Sequence, residues 1–437
     1  MSVFQAGVAG ANITPPLGVP LTGFGGRKGP VEDVHDDLQA KALVLDDGTT
    51  KLALITADVL GWDFDLVERI RTLVQQRTGI PDLHVMLNAS HTHSGPATIS
   101  LRGLGERDET YCDVTVRKIV GAVIMAMRSR QPARLGIGRE PVQIGFNRRE
   151  KTPQGEMILG RNPAGPVAPW VDILRLDTAD GRPLACFFSH AAHPVTQRGL
   201  TITRDYCGYA VDFVERAKEG VQALFAQGCG GNVNCDCSDL SWAGTERLGT
   251  ILGAAVVKGW EMIETTDQVV LDAAVETIEL PLQNPPSVEE AEALLQEQEK
   301  RLQQAQADDR LNEYQLQFYG GLVEWAQDYL RLAQEGEKER TQKFEIQAFV
   351  LNRTAIVAYP GEMFVEYQLF ADAHSPFEHT IALGYSNGCI GYVPTAAAYP
   401  LGGYEVETAY RYYGTLMLQP DCERLIQEAT LQLLEVF

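Results

Sequence analysis

Short apolar runs alternate with amphipathic helical segments through the first 260 residues, and this rhythm constrains the fold more than any other feature. Leu38 to Leu45 and Lys51 to Val59 read as strands flanking the turn Asp46-Asp47-Gly48. Asp65 to Thr78 carries helical periodicity, and His84 to Ala89 is a short apolar run of strand character. The pattern repeats. A helix is expected over 109–130, strands over Val171–Leu176 and Pro183–Ser189, a helix over Tyr206–Glu219, a strand over Val221–Ala226 and a helix over 242–264. Strands that alternate with helices build a sheet whose faces the helices cover. The expected class is therefore α/β, a mixed β-sheet core with covering helices.

From Ser287 to about Glu339 the composition shifts to Gln, Glu, Lys and Arg. Ser287-Val288-Glu289-Glu290 fits a capping box, and apolar residues recur at Leu294, Leu295, Leu302, Leu311 and Leu316. A helical hairpin over 287–339 follows, inserted in the sheet domain, with Gly320-Gly321 as a break. Its charge run reads first as a solvated face, and second as a partner-binding arm. Phe344 to Tyr359 reads as one strand returning to the sheet, and Asp421 to Leu434 as a last helix.

Charge excludes some partners. The 437 residues hold 58 Asp and Glu against 37 Lys and Arg, a formal charge of −21. Nucleic acid and anionic membrane surfaces need clustered cations, so neither is expected as a partner. No run approaches the roughly 18 apolar residues of a membrane span. Met1 to Gly7 has no basic region leading into an apolar run, so no signal peptide is expected. With eight cysteines and no export signal, reduced thiols and a cytoplasmic location are expected. The expected partner is a small-molecule substrate, with homo-oligomerisation left open.

The eight histidines are His35, His84, His91, His93, His190, His193, His374 and His379. Four form two tight pairs, each just past an expected strand. His91-Thr92-His93 puts two imidazoles at i, i+2, on one side if the chain stays extended. His190-Ala191-Ala192-His193 puts two at i, i+3. Strand ends are where α/β enzymes build their sites. Imidazoles, a carboxylate and an open position make a hydrolytic zinc site, with Glu362, after a strand, as a candidate third ligand. The alternative is a pair of hydrogen-bonded structural histidines. His84 reads as a core or surface histidine inside its strand. Cys229, Cys235 and Cys237 have no structural-zinc spacing and read as buried thiols before a nucleophile or soft-metal site. Gly228-Cys229-Gly230-Gly231 is only loosely a phosphate loop. Ser90, Ser94 and Ser189 could be drawn into a Ser-His-Asp triad, yet none sits in a nucleophile elbow.

Six motifs stand in a telling order: Asn12-Ile13-Thr14-Pro15, then Asn88-Ala89-Ser90-His91-Thr92-His93-Ser94-Gly95-Pro96, His193-Pro194, Gln227-Gly228-Cys229-Gly230-Gly231-Asn232, Pro360-Gly361-Glu362 and Gly391-Tyr392-Val393-Pro394-Thr395. From about residue 5 to the C-terminus the chain resembles the catalytic domain of neutral/alkaline non-lysosomal ceramidases and their bacterial relatives. The resemblance implies a zinc-dependent amidase with one ion per chain, and one ceramidase-like domain over 1–437. Carried over by motif, it implies His91, His193, Glu362 and Tyr392 as zinc ligands, with Tyr385 and Tyr399 near enough to compete for the last role. It implies that His93 faces the attacking water or the oxyanion, as acid/base or donor, and that Arg148 lies on the substrate side.

The sequence departs from that family twice. Where ceramidases carry a serine after the Gly-Gly-Asn turn, this chain has Asn234. An amide cannot serve as a nucleophile at neutral pH, so Asn234 is expected to orient a substrate oxygen or the water. The attacking group is then expected to be metal-activated water. The chain also ends at Phe437, soon after the Tyr392 motif, so no further C-terminal module is expected. The expected activity is a zinc-dependent hydrolase of a small soluble amide, ester or lactone. The alternatives are a true ceramidase, or a non-catalytic binding or scaffold relative. Much of the net charge falls on the hairpin, and zinc with Arg148 is expected to leave a locally positive pocket.

Overall fold

A computed structural model describes residues 3–437 of the chain. Eight strands form the larger sheet, in the order Gln222–Gln227, Pro183–His190, Trp170–Thr178, Gln131–Pro141, Gln5–Asn12, Gln39–Asp46, Lys51–Ala57, Val85–Ala89. The outermost pair at each edge is parallel, and the pairings between them are antiparallel. The two edges meet through one side chain. Asn88 Nδ2 donates to Gln227 O at 3.1 Å, and Gln227 N donates to Asn88 Oδ1 at 2.8 Å. A second sheet runs Leu271–Pro281, Thr341–Leu351, Thr354–Ala358, His379–Leu383, its last two strands parallel.

Alternation along the strands stacks the layers. Ala40, Ala42 and Val44 point to the helices Phe64–Thr78 and Glu109–Arg128, packing with Ile70 and Ile119. Their neighbours Leu43 and Leu45 point the other way, into a core shared with Phe349 and Ile356 of the second sheet. Strand side chains alternate faces with a period of two, so each buried strand serves two cores. The helices Asp205–Ala217 and Trp242–Met262 cover the other half of the larger sheet. Val365–His374 and Cys422–Leu434 cover the far face of the second. The result is helices, sheet, sheet, helices. Each fully buried Leu or Phe in the central core contributes about 1.5–3 kcal/mol of transfer free energy, which holds the sheets face to face.

The class is as expected, a mixed α/β fold, and three local readings need correction. Phe344 to Tyr359 is two antiparallel strands, Thr341–Leu351 and Thr354–Ala358, and they belong to the second sheet. The reversal falls at Asn352, which takes a left-handed backbone (φ 55°), a conformation Asn tolerates better than most residues. The hairpin is present as Val288–Gln306 and Glu313–Gln334, but Gly320-Gly321 does not break its second helix. His84 closes a short 3-10 turn, Asp82–His84, ahead of the strand rather than inside it.

Candidate metal centre

The site lies at the carboxyl ends of the parallel strand pairs of both sheets. Past Val85–Ala89 the chain turns sharply, because His91 adopts a left-handed backbone (φ 65°) and its N–H donates to Val59 O at 3.0 Å. The expected extended His-x-His is therefore a turn. It still brings the two rings together, with His93 Nε2 3.2 Å from His91 Nε2. His193 follows Pro183–His190, and its N–H donates to Val233 O. Glu362 follows Thr354–Ala358, its backbone N–H on Gly391 O.

Each imidazole is fixed through its Nδ1. That of His91 lies 2.6 Å from Leu60 O, that of His193 2.7 Å from Gly230 O and that of His93 3.1 Å from Gly23 O. A carbonyl only accepts, so each Nδ1 carries a proton and each Nε2 is the nitrogen left to offer a lone pair to an ion. Those lone pairs converge with a carboxylate. Glu362 Oε2 is 3.0 Å from His193 Nε2 and 3.4 Å from His91 Nε2, and Tyr392 Oη is 3.4 Å from His193 Nε2. Donors about 2.0–2.1 Å from a tetrahedral ion stand about 3.3 Å apart, so the spacing fits one ion. Lone pairs turned on each other repel unless a cation lies among them, and nitrogen, carboxylate and phenol donors suit zinc better than calcium or magnesium. His91, His93 and His193 form a compact group able to hold a metal.

Burial sets the electrostatics. It pushes the His93 imidazole well below its ordinary value, aided by the neighbouring His91 and His193. Burial, with Arg148 close by, lowers His193 to about 4. Burial alone would raise the Glu362 carboxyl, but His91 and His193 hold it well below the usual range.

Two glycines make this packing feasible. A Cβ at Gly23 (φ 93°) would stand 2.6 Å from His93 Nδ1, and one at Gly231 would stand 2.4 Å from Glu362 O. The glycine loop 228–231 is thus a close-packing device between the two sheets.

Arg148 enters on the strand Gly145–Lys151, which pairs with Val233–Cys235. Its Nε donates to Glu405 Oε1 at 2.9 Å and its Nη1 to Asn234 Oδ1 at 3.2 Å. The guanidinium lies over the rings of Tyr392 and Tyr404. Arg148, Asn234, His93, His193 and Tyr392 all face one pocket of about 440 Å³. The hairpin supplies its outer wall through Leu311, Gln315, Phe318 and Tyr319. It is docked there by Asn312 Nδ2 donating to Lys28 O at 2.6 Å, by Asp328 paired with Arg102, and by Gly321 against the backbone of Gly103.

The structure thus gathers His91, His93, His193, Glu362, Tyr392, Arg148 and Asn234 in one place. Of the competing tyrosines, Tyr385 reaches Glu362 Oε2 at 3.5 Å, while the Tyr399 hydroxyl has no hydrogen-bond partner among the described residues. His190 is not part of the site: its Nδ1 faces Trp170 O at 2.8 Å inside the fold. His35 stacks on Trp242 at 3.9 Å. Ser90 and Ser189 hydroxyls have no partner among the described residues, and Ser94 donates to Gln197 O, so no Ser–His pair forms among them. Cys235 and Cys237 have sulfurs 3.9 Å apart, and all eight cysteines are free. Sequence reasoning missed Tyr413, whose hydroxyl donates to Glu362 Oε1, and Glu405, which anchors Arg148. Neither follows a strand end or belongs to a motif, so no local signal marked them.

Fold and site together define an α/β protein with a buried histidine–carboxylate centre of hydrolytic type. Residues 4–241 match the family described as neutral/alkaline non-lysosomal ceramidase, N-terminal, and the chain belongs to this family of hydrolases. The neutral ceramidase of Pseudomonas aeruginosa is 26% identical over 254 residues, 53% of this chain and 37% of that protein. The match thus spans little more than a third of that curated relative's length. Two solved structures share the fold. The crystal structure of neutral ceramidase from Pseudomonas aeruginosa superposes with a TM-score of 0.73 at 20% identity, over 99% of this chain and 74% of that one. A ceramidase complexed with C2 gives 0.74 at 18% identity, over 99% and 75%. Among the described residues, no helix is long and apolar enough to cross a membrane.

Proposed function

We propose that this protein is a zinc-dependent hydrolase that cleaves a small soluble amide, ester or lactone with an activated water molecule. The observation that carries the reading is that Glu362 Oε2 lies 3.0 Å from His193 Nε2 and 3.4 Å from His91 Nε2. In this reading these three groups and Tyr392 hold one ion per chain. Zinc bound there supplies Lewis-acid polarisation of the scissile carbonyl and lowers the pKa of water to about 7.

The chain's own residues do the rest. His93, its Nδ1–H fixed on Gly23 O, offers Nε2 as the base that takes a proton from the attacking water. Arg148 and Asn234 bind the carbonyl end, and Arg148 directs N–H donors at the developing negative oxygen. The water's hydroxyl joins the carbonyl carbon, the C–N or C–O bond breaks, and His93 returns the proton to the leaving nitrogen or oxygen. Asn234 orients and does not attack. The reading treats residues 1–437 as one catalytic unit, since the site draws on residues from 91 to 413. It keeps the protein in the cytoplasm, where eight free thiols are stable.

Ceramide hydrolysis is the second reading, supported by family membership and by the Phe24, Leu104 and Phe318 side of the pocket. Elemental analysis of purified protein, followed by a panel of soluble amides, esters, lactones and detergent-dispersed ceramide, tests both. One zinc per chain with turnover of soluble substrates is expected. Protein that cannot take up zinc overturns the first reading, and turnover of ceramide alone replaces it with the second.

A further inference from the structure

The pocket is positively charged in a strongly acidic chain. Against a net −21, its lining includes Arg148 and Arg198 and, among the described residues that line it, no Asp or Glu. At the chain's average of 58 acids in 437 residues, about two or three would be expected among them.

The two cations differ in what lies behind them. Arg148, only 4% exposed, shares the single carboxylate of Glu405 with Arg149, whose Nη1 donates to Glu405 Oε2 at 2.6 Å. Glu362 also acts on Arg148 from the adjoining centre, so two guanidiniums stand against two carboxylates, and Arg198 is the lining cation without an acidic partner among the described residues. Arg148 Nη2 is buried and without a hydrogen-bond partner among the described residues, a donor that costs stability until an acceptor arrives. Asn234 turns its Oδ1 to Arg148 Nη1, so its amide N–H2 is the end that remains for a ligand. At the rim, Arg198 has no hydrogen bond or ion pair among the described residues and lies over the Phe24 ring at 5.5 Å.

We propose that the substrate carries a free carboxylate in addition to its scissile carbonyl. It is an anionic N-acyl amino acid or O-acyl hydroxy acid, with the carboxylate received by Arg198 while Arg148 and Asn234 hold the scissile end. This rests on the reading above that the pocket is the substrate site. A planar guanidinium suits a carboxylate bidentately. A cleft lined by cations also concentrates anions against the repulsion of the acidic surface. Arg198 is exposed, so a neutral lipid amide would leave it hydrated and make no use of its charge.

A matched pair tests this: N-hexanoylglycine against N-hexanoylglycinamide, alike in size and differing in charge. Hydrolysis is followed by release of glycine or glycinamide. Binding is followed separately by calorimetry on chelator-stripped protein, since the arginines need no metal. The carboxylate is expected to lead by about tenfold or more in kcat/KM and to bind tighter to the stripped protein, with a lead that shrinks as salt rises. In Arg198→Ala the ratio should fall towards one, mainly through KM, and Arg198→Lys should restore part of it. Equal turnover and binding of the pair, binding of neither, or a ratio indifferent to Arg198 overturns the proposal. Carboxylate-selective binding without turnover of any amide or ester would uphold it while sinking the hydrolase reading. Turnover without charge preference would do the reverse.

Discussion

The Nε2 of His193 lies 3.0 Å from Oε2 of Glu362, although 169 residues separate the two in the chain. Both side chains are buried, so removing one charge leaves the rest of the cluster without compensation. Glu362→Gln preserves shape and deletes the negative charge. It should reduce metal content well below one ion per chain and lower kcat/KM by about 100-fold or more, at least the scale of changes in the groups around metal ligands. Elemental analysis beside steady-state kinetics checks this. Full metal content with full activity would remove Glu362 from the centre.

Gly23 gives a separate handle on His93. Its positive φ and its contact with the imidazole leave no room for a side chain. Gly23→Ala should tilt His93 while His91, His193 and Glu362 stay in place. The expected result is retained metal with kcat reduced on the order of 100-fold, the usual worth of a positioned general base. Loss of metal in parallel with kcat would instead make His93 a ligand.

The hairpin wall can be loosened at one point. A methyl group at Gly321 would come within 2.5 Å of Gly103 N. Gly321→Ala gains helix propensity of about 1 kcal/mol, yet the crowding should cost about 1–3 kcal/mol. A raised KM with unchanged metal content is expected, since Phe318 and Tyr319 shift with the helix. Melting temperature and KM measured together report it. If both stay at wild-type values, the hairpin is not a working wall of the pocket.

His190 predicts a pH effect. Burial lowers its pKa to about 4, against a bond to Trp170 O that works in the other direction. The unfolded chain holds this proton below about 6.5, while the folded chain refuses it until about 4. Stability should therefore fall as pH drops from about 6.5 to about 4, by on the order of 3 kcal/mol for this residue. Asp58, Asp172 and Asp205, raised to about 6 chiefly by burial, act with the opposite sign. The comparison is therefore wild type against His190→Gln in urea titrations at pH 7 and pH 4.5. The variant should lose less stability on acidification, and an equal loss would show that His190 is protonated in the fold.

How much of this was legible in the sequence depends on the range of the signal. The helices Phe64–Thr78, Glu109–Arg128 and Trp242–Met262 were readable because their apolar residues recur at helical spacing. The strands Gln131–Pro141 and Leu271–Pro281 were not, because polar residues interrupt them and their order comes from pairing with distant partners. The splitting of the core into two sheets was equally hidden. Leu43 and Phe349 share one core between the sheets, and no local pattern says so. At the site, strand-end histidines and the Pro-Gly-Glu turn stood out, whereas Tyr413 and Glu405 act across the tertiary structure and left no trace in their neighbours. His190 misled for a related reason: it is the last residue of its strand, three before a ligand, but its ring is held on Trp170 O inside the fold.

The candidate centre draws donors from the ends of both sheets, His91 and His193 from the larger and Glu362 from the smaller. An ion held there would act as a cross-link closing the 169-residue loop between His193 and Glu362. It would restrict the unfolded chain in the way a long-range disulfide does, with no need of oxidising surroundings. Chelation should then be felt as lower cooperativity of the whole chain. The seam between the sheets would open first at the end where the chemistry sits, and the opposite end, where Leu52, Leu271 and Leu351 share one core, would persist longest.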